Sequence, residues 1–304
     1  MSDQLIKVAH IERLTQIWIC LDPVIPGDGG VHIGRVDKTV AREKTTGWPF
    51  IPGTGLSGAL RSAAAYGQRP SNPGHDCGGN HSECDDKSTC PVCSVFGYSK
   101  GEAQQKGPVD ILDARMLFFP VESSASVRWV TCPEVLATAP APWPGMIPPE
   151  VSTYAHADTL CYLPNSTNQS LRLGWVSITD LKKWEQEVPA EAPTQIKDLA
   201  SQLVLVSNTV FKALVKSGLD ERTSVSINPD SGTASAGALR TFEAVPRGTV
   251  FWSDFVFEEL DIERQKSQKA TLAKAANFLK DLGLGAQKST GFGRIWALSD
   301  WKAK

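Results

Sequence analysis

The sequence predicts an α+β fold, and three features carry that prediction. Short β-rich stretches of apolar residues end at Pro, Gly or Asp. Longer stretches bring small and apolar residues back at helical spacing and stop at a glycine. The two kinds are interleaved without the regular strand-helix repetition that builds a parallel βαβ sheet.

Taken in order, IERLTQIWICLDPVI at 11–25 is β-rich and ends at Pro23 and Pro26, which predicts a strand running into a loop. That loop, 27–47, packs glycines 27, 29, 30, 34 and 47 among His, Arg, Lys and Asp with little apolar periodicity, the composition of a functional loop. In WPFIPGTGLSGALRSAAAYG, Leu56, Ala59, Leu60, Ala63 and Ala64 recur at helical spacing until Gly67. A turn at Pro52 and Gly53 therefore opens a helix whose N-terminus can face a phosphate. Residues 70–107 hold cysteines and few apolar residues, so they are expected to form an insertion fastened by something other than a core. Strand signals resume in DARMLFFPVE and SVRWVTCPEVL; the proline-rich stretch 138–194 reads as an irregular insertion with short elements. LVLVS predicts a strand and NTVFKALVKSG a short helix, and 223–246 has two extended arms around NPDSGTASAG, a long hairpin. GTVFWSDFVFEEL is a strand. In SQKATLAKAANFLKDLG, Leu272, Ala275 or Ala276, Leu279 and Leu282 share a face, with Ser267 as cap and Gly283 as stop. GLGAQKSTGFGRIWAL closes as a glycine-rich loop entering a last strand; Gln287 stands where a P-loop needs glycine, so an ATPase is excluded.

At 304 residues the chain can hide roughly three quarters of its unfolded surface, so it needs no disulfides. Hydrophobic residues at 41% and charged residues at 21% are ordinary for a globular protein, and no run of eighteen apolar residues could span a bilayer. The N-terminal MSDQLIKVAHIERL has no signal-peptide core, so a cytoplasmic protein is expected. A net charge of -2 restricts any nucleic-acid binding to a local patch. Of seven cysteines, four run Cys77-x6-Cys84-x5-Cys90-x2-Cys93, with His75 and His81 interspersed. Four thiolates satisfy tetrahedral zinc and Cys90-x2-Cys93 has knuckle spacing, which predicts a structural Zn2+ site in which His75 or His81 can replace Cys77 or Cys84. Cys20, Cys132 and Cys161 sit among apolar residues and read as buried thiols.

Four stretches resemble the RAMP superfamily, the RNA-binding proteins of CRISPR systems. VDKTVAREKTTGWPFIPGTGLSGALR at 36–61 is similar to the family stretch in which an acidic residue precedes an Arg and a Pro-x-Ile-x-Gly-Ser-Ser-Leu-Lys-Gly-Ala-Leu-Arg turn and helix follow. CPVCSVFG at 90–97 is similar to its Cys-x-x-Cys-x-x-Phe-Gly segment, and KSTGFGRI at 288–295 to its C-terminal glycine-rich loop. DARMLFFPVESSASVRWVTCPEVL at 113–136 resembles a stretch particular to backbone subunits of type III-B (Cmr) effector complexes. One departure is plain: Ser57 stands where the family has a phosphate-binding Lys.

The resemblance implies a single RAMP domain over 1–304 with a ferredoxin-like (RRM-like) palm, large insertions, and a thumb β-hairpin at 223–246 that wedges between bases of a guide-target duplex. It implies a metal-dependent endoribonuclease with guide RNA, target RNA, further copies of itself and other Cmr subunits as partners. Asp37 matches the catalytic aspartate, working with Mg2+ or Mn2+, and Glu243 can sit near the scissile phosphate or be a strand-surface charge. RNA contacts are expected from Lys38, Arg42, Gly53, Gly55, Ser57, Arg61, Lys288, Gly291, Gly293 and Arg294, the glycines by close backbone approach and the cations by charge. His32 has no place in the motif. Two other readings stay open: a non-catalytic backbone subunit, disfavoured by the presence of Asp37, and a monomeric guide-processing RAMP nuclease, disfavoured by 113–136.

Overall fold

A computed structural model describes residues 11–27, 37–68, 77, 90–100, 103–124, 126–156, 160–164, 170–228, 230–235, 239–259 and 261–298. The elements that frame the site are β1 (Glu12–Cys20), α1 (Gly53–Gln68), α2 (Pro91–Phe96), β2 (Ala114–Val121), β3 (Arg128–Thr131), β4 (Leu203–Val206), α3 (Asn208–Ser217), β5 (Asp220–Ser224), β6 (Arg240–Ala244), β7 (Val250–Phe257), α4 (Ile262–Leu282) and β8 (Ile295–Ala297). Two strand-helix-strand units, β1-α1-β2 and β7-α4-β8, interlock in the spatial order β8-β1-β7-β2 with every neighbour antiparallel. This is the ferredoxin-like palm.

Its core follows from the sequence pattern. Trp18, Phe118, Phe119, Phe251, Phe255 and Phe257 are fully buried, and the helices meet through small residues, Ala63 and Ala64 of α1 and Ala275 and Ala276 of α4. The helices come so close that a Cβ on Gly67 would stand 2.8 Å from the Phe278 ring. Beyond β2 the palm sheet continues through β3, then β4 parallel to it, then Cys161–Leu163 and the exposed pair Lys182–Lys183. The proline-rich insertion thus adds strands to the sheet and anchors itself with buried Trp143, Met146, Ile178 and Trp184. No helix among the described residues is long and apolar enough to cross a membrane.

Several expectations are corrected. α4 is capped by Asp261, whose carboxylate accepts from the amides of Glu263 and Arg264 at 2.9 and 3.2 Å, rather than by Ser267. Its first turns are polar and exposed, so no apolar period announces them. SVRWVTCPEVL is a strand only to Thr131; Pro133 opens a short helix, Pro133–Thr138, as proline does where an amide would go unpaired anyway. The hairpin arms pair from Asp220 to Ala244, earlier than 223–246 suggests. The cysteine insertion does have a core: Val92 and Val95 of α2 are fully buried, and α2 packs on α4 and α1.

Candidate functional site

Residues 37–40 run as an extra strand along β6, on the edge opposite β5. Asp37 brackets Thr241, donating its amide to the Thr241 carbonyl at 2.9 Å and accepting the Thr241 amide on Oδ2 at 2.7 Å. Lys38 bridges Phe242 in parallel, and the Glu243 amide donates to the Lys38 carbonyl at 2.9 Å. The Val40 amide donates to Glu243 Oε2 at 3.1 Å, and Arg42 forms an ion pair with Glu243 Oε1. Val40 and Ala41 are buried, and the Ala41 amide donates to the Pro26 carbonyl at 2.8 Å. Asp37 and Lys38 stay exposed on this anchored base, and Asp37 Oδ1 has no partner among the described residues.

The other edge of β6 pairs with β5, with Arg222 opposite Phe242 and Ser224 opposite Arg240. Phe242 packs with Ile25, Ala244 and Phe292, and the Arg222 guanidinium stacks over the Phe292 ring at 5.0 Å from its centroid. Between the hairpin and the C-terminal glycine-rich loop lies a cleft of about 510 Å³, lined by Arg222, Ser224, Arg240, Phe242, Gln287 and Phe292 among others. Arg222, bonded to Asp220 at 3.0 and 2.9 Å and stacked over the Phe292 ring, together with Arg240 suits an anionic, π-faced ligand such as a nucleotide strand. The glycine-rich loop turns through left-handed backbone at Gln287, Gly291 and Gly293 (φ 60°, 88° and 97°). A Cβ on Gly293 would meet the Leu284 carbonyl at 2.4 Å, so this glycine closes the turn, whereas Gly291 is exposed with open space around it. Arg294 grips Asp22 with two bonds of 2.6 and 3.0 Å. Chiefly through that hydrogen bond it holds the Asp22 carboxyl below its usual range, so the clamp is fully formed at neutral pH and weakens only as acid protonates Asp22.

A third cluster lies beside α1. Cys77, Cys90 and Cys93 are buried, with Sγ of Cys77 at 3.4 Å from that of Cys90 and 3.8 Å from that of Cys93. Thiolates around a tetrahedral zinc, with Zn–S about 2.3 Å, stand about 3.8 Å apart, so the three thiols fit such an ion. They are the one group among the described residues with metal-holding geometry. The Cys90 thiol caps α2 by accepting the Cys93 amide. His32, His75, His81 and Cys84 lie outside the described residues. The Cys20, Cys132 and Cys161 thiols are buried as predicted, and burial raises all three, Cys161 to about 12.

A family model described as the RAMP superfamily matches residues 21–296. This chain belongs to the RAMP superfamily. The CRISPR system Cmr endoribonuclease Cmr4 of Pyrococcus furiosus is 27% identical to it over 257 residues, 77% of each protein. Among solved structures, a chain of the type III-B Cmr-beta complex bound to cognate target RNA is similar with a TM-score of 0.68 and 16% identity, over 96% of this chain and 98% of that one. A crystal structure of oligomeric Cmr4 from Pyrococcus furiosus gives a TM-score of 0.61 and 19% identity over 95% and 99%. The RAMP fold therefore extends through nearly the whole chain.

The RAMP fold gathers some of the predicted residues and separates others. Asp37, Lys38, Arg42 and Glu243 meet along β6, where Arg42 pairs with Glu243 while its side chain stays one third exposed (33%). Lys38, Gly55, Lys288 and Gly291 are exposed, and Ser57 is half-buried. Gly53 is buried and its amide donates to Asp113 Oδ1 at 2.7 Å, so a carboxylate already fills the place expected for phosphate. Arg61 donates to the carbonyls of Cys77 and Gly97 at 2.9 and 3.1 Å, which ties α1 to the cysteine insertion. Arg222, Arg240 and Phe292 went unnoticed in sequence; the signal was the pair of arginines flanking a polar hairpin. Because a Cβ on Gly53 would lie 2.5 Å from the Ile111 carbonyl, Gly53→Ala is expected to cost about 1–3 kcal/mol of stability. A lowered denaturant midpoint with unchanged slope checks it.

Proposed function

We propose that this RAMP chain is a backbone subunit of a type III-B CRISPR effector: copies of it line up along a guide RNA, and each cuts the paired target RNA at Asp37. The observation that carries the reading is an exposed carboxylate fixed by the Thr241 backbone at the root of a hairpin, whose other edge lines an arginine-aromatic cleft. The relative named as a Cmr endoribonuclease and the fold shared with a chain of a target-bound Cmr complex support it. The domain reads as one RAMP unit over 1–304, with 70–107 fastened by Zn2+ on Cys77, Cys90 and Cys93 plus Cys84, His75 or His81, a second insertion at 138–194, and the hairpin as thumb.

In the proposed cut, the ribose 2'-OH gives its proton to the Asp37 carboxylate, its oxygen bonds to the adjacent phosphorus, and the P–O5' bond breaks. The leaving oxygen takes a proton from water, giving a 2',3'-cyclic phosphate and a 5'-hydroxyl. The Thr241 amide fixes the carboxylate so that the proton acceptor is already oriented. In the alternative role Asp37 would hold Mg2+ or Mn2+ with phosphate oxygens, which would neutralise charge on the phosphate, and the 2'-OH proton would then pass to water instead of to Asp37.

The test is the assembled complex with matched and mismatched labelled target RNA. Cuts at regular intervals in matched RNA alone are expected; binding without cutting leaves the non-catalytic backbone reading, and failure to bind ends both. The cleft adds a further expectation. Arg222→Ala with Arg240→Ala should weaken guide binding alike for all sequences and lower the salt slope by about 1 for every phosphate that the two arginines neutralise, measured by titration at several salt concentrations.

A further inference from the structure

Glu243 and Arg42 stand next to Asp37 and pair with each other. Both Glu243 oxygens are engaged, one by the Val40 amide and one by the Arg42 guanidinium, and its side chain is only 12% exposed. Its own amide holds the Lys38 carbonyl at 2.9 Å. One residue thus grips positions 38, 40 and 42 of the segment that ends in Asp37.

We propose that Glu243 and Arg42 are positioning residues that set the register of the Asp37 segment on β6; this rests on the reading of Asp37 as the cutting residue. Buried Val40 and Ala41, with Ala41 bonded to Pro26 and Phe50, anchor the middle of the segment, whereas Asp37 and Lys38 at its start are exposed and polar, where backbone pairing alone tolerates slippage. A slip of one residue, about 3.3 Å, would carry Asp37 off the Thr241 amide. It would also pull the Val40 amide and Arg42 from Glu243, leaving a mostly buried carboxylate unpaired, which is strongly disfavoured. The ion pair therefore adds to the burial of Val40 and Ala41 in penalising every register but the observed one. Misplacement of a reacting group by even about 1 Å can cost about 10²-fold in rate, so the pair acts on cutting without touching RNA. Because Thr241, which Asp37 brackets, is bonded to Arg240 of the cleft, the same strand fixes both the carboxylate and the neighbouring cation.

The experiment compares wild type with Glu243→Gln, Glu243→Ala and Arg42→Ala in the assembled complex. It reads single-turnover cutting at saturating target, target affinity at several salt concentrations, and hydrogen exchange of the amides in 37–43. Glu243→Ala should cut about 10²-fold more slowly with target affinity within about twofold, and the Val40 amide should exchange faster. Glu243→Gln keeps an acceptor for Val40 and should fall between wild type and Glu243→Ala in both rate and exchange. Arg42→Ala should behave like Glu243→Gln. The proposal is overturned if Arg42→Ala weakens binding and lowers the salt slope while cutting is intact, the mark of a phosphate contact. It is also overturned if Glu243→Ala stops cutting while exchange in 37–43 stays at the wild-type rate, which would put the carboxylate on the RNA. If the wild type itself does not cut, the reading of Asp37 fails, and the exchange data still decide whether Glu243 and Arg42 hold the segment.

Discussion

Asp37→Ala is expected to slow target cutting by at least about 10²- to 10⁴-fold, the usual contribution of a positioned acid-base group, while assembly and target binding change little. Affinity comes from base pairing and many phosphate contacts, to which one exposed carboxylate adds nothing favourable. The substitution also removes the acceptor for the Thr241 amide, but that bond is exposed and worth about 0.5–1.5 kcal/mol. Asp37→Asn separates the two roles, because its amide oxygen can still accept from Thr241 while it can neither take the proton nor bind a cation well. It should be as inactive as Asp37→Ala. Labelled target RNA, followed in magnesium and in EDTA with end-group analysis, provides the measurement. An Asn variant cutting at the wild-type rate would mean that the hydrogen bond, not the charge, matters, and an Ala variant unable to bind target would make Asp37 structural.

The second large effect is loss of zinc. One ion per chain is expected in protein purified without added metal, and Cys90→Ser with Cys93→Ser should release it. Sequence alone confines the damage to 70–107. The structure extends it, because α2 lies between the thiols and α4, with Val92 and Val95 inside the palm core. Arg61 further ties α1 to the Cys77 carbonyl. Structural zinc supplies about 10–16 kcal/mol in small finger peptides, and even a third of that would lower the melting temperature by about 10 °C in a domain of this size. Elemental analysis and a thermal melt with and without chelator check both parts. Absence of zinc, or zinc retained by the double variant, would refute the site.

Much of the palm was legible because its strands and helices carry their own periodicity. Trp18, Leu56, Leu60, Leu272 and Leu279 all fall on the buried faces that spacing assigns. What stayed hidden depends on partners far along the chain. Asp113 caps α1 from 60 positions away and Asp37 meets Thr241 across 204, pairings that tertiary contact creates and no local pattern announces. The same distance explains Arg42, Arg61 and Arg294. As residue types they are equally good phosphate ligands, and only the fold reveals the carboxylate or carbonyl that each one bonds, just as Arg222 bonds Asp220. Asp37 matches a family motif, whereas the Thr241 amide that fixes it and the grip of Glu243 on Val40 and Arg42 depend on contacts that only the fold makes.

The two ends of the palm sheet have a bearing on how copies can stack. One end is Lys182–Lys183, two exposed lysines long, and the other is the three-residue β8. Borders this short, one of them two lysines, are poor templates for a neighbour's backbone, which disfavours fusing the sheets into an open-ended ribbon. A row of them would be held through other surfaces or by a strand that they cover. Where a strand does the holding, the length of the row would be measured by the nucleic acid it covers.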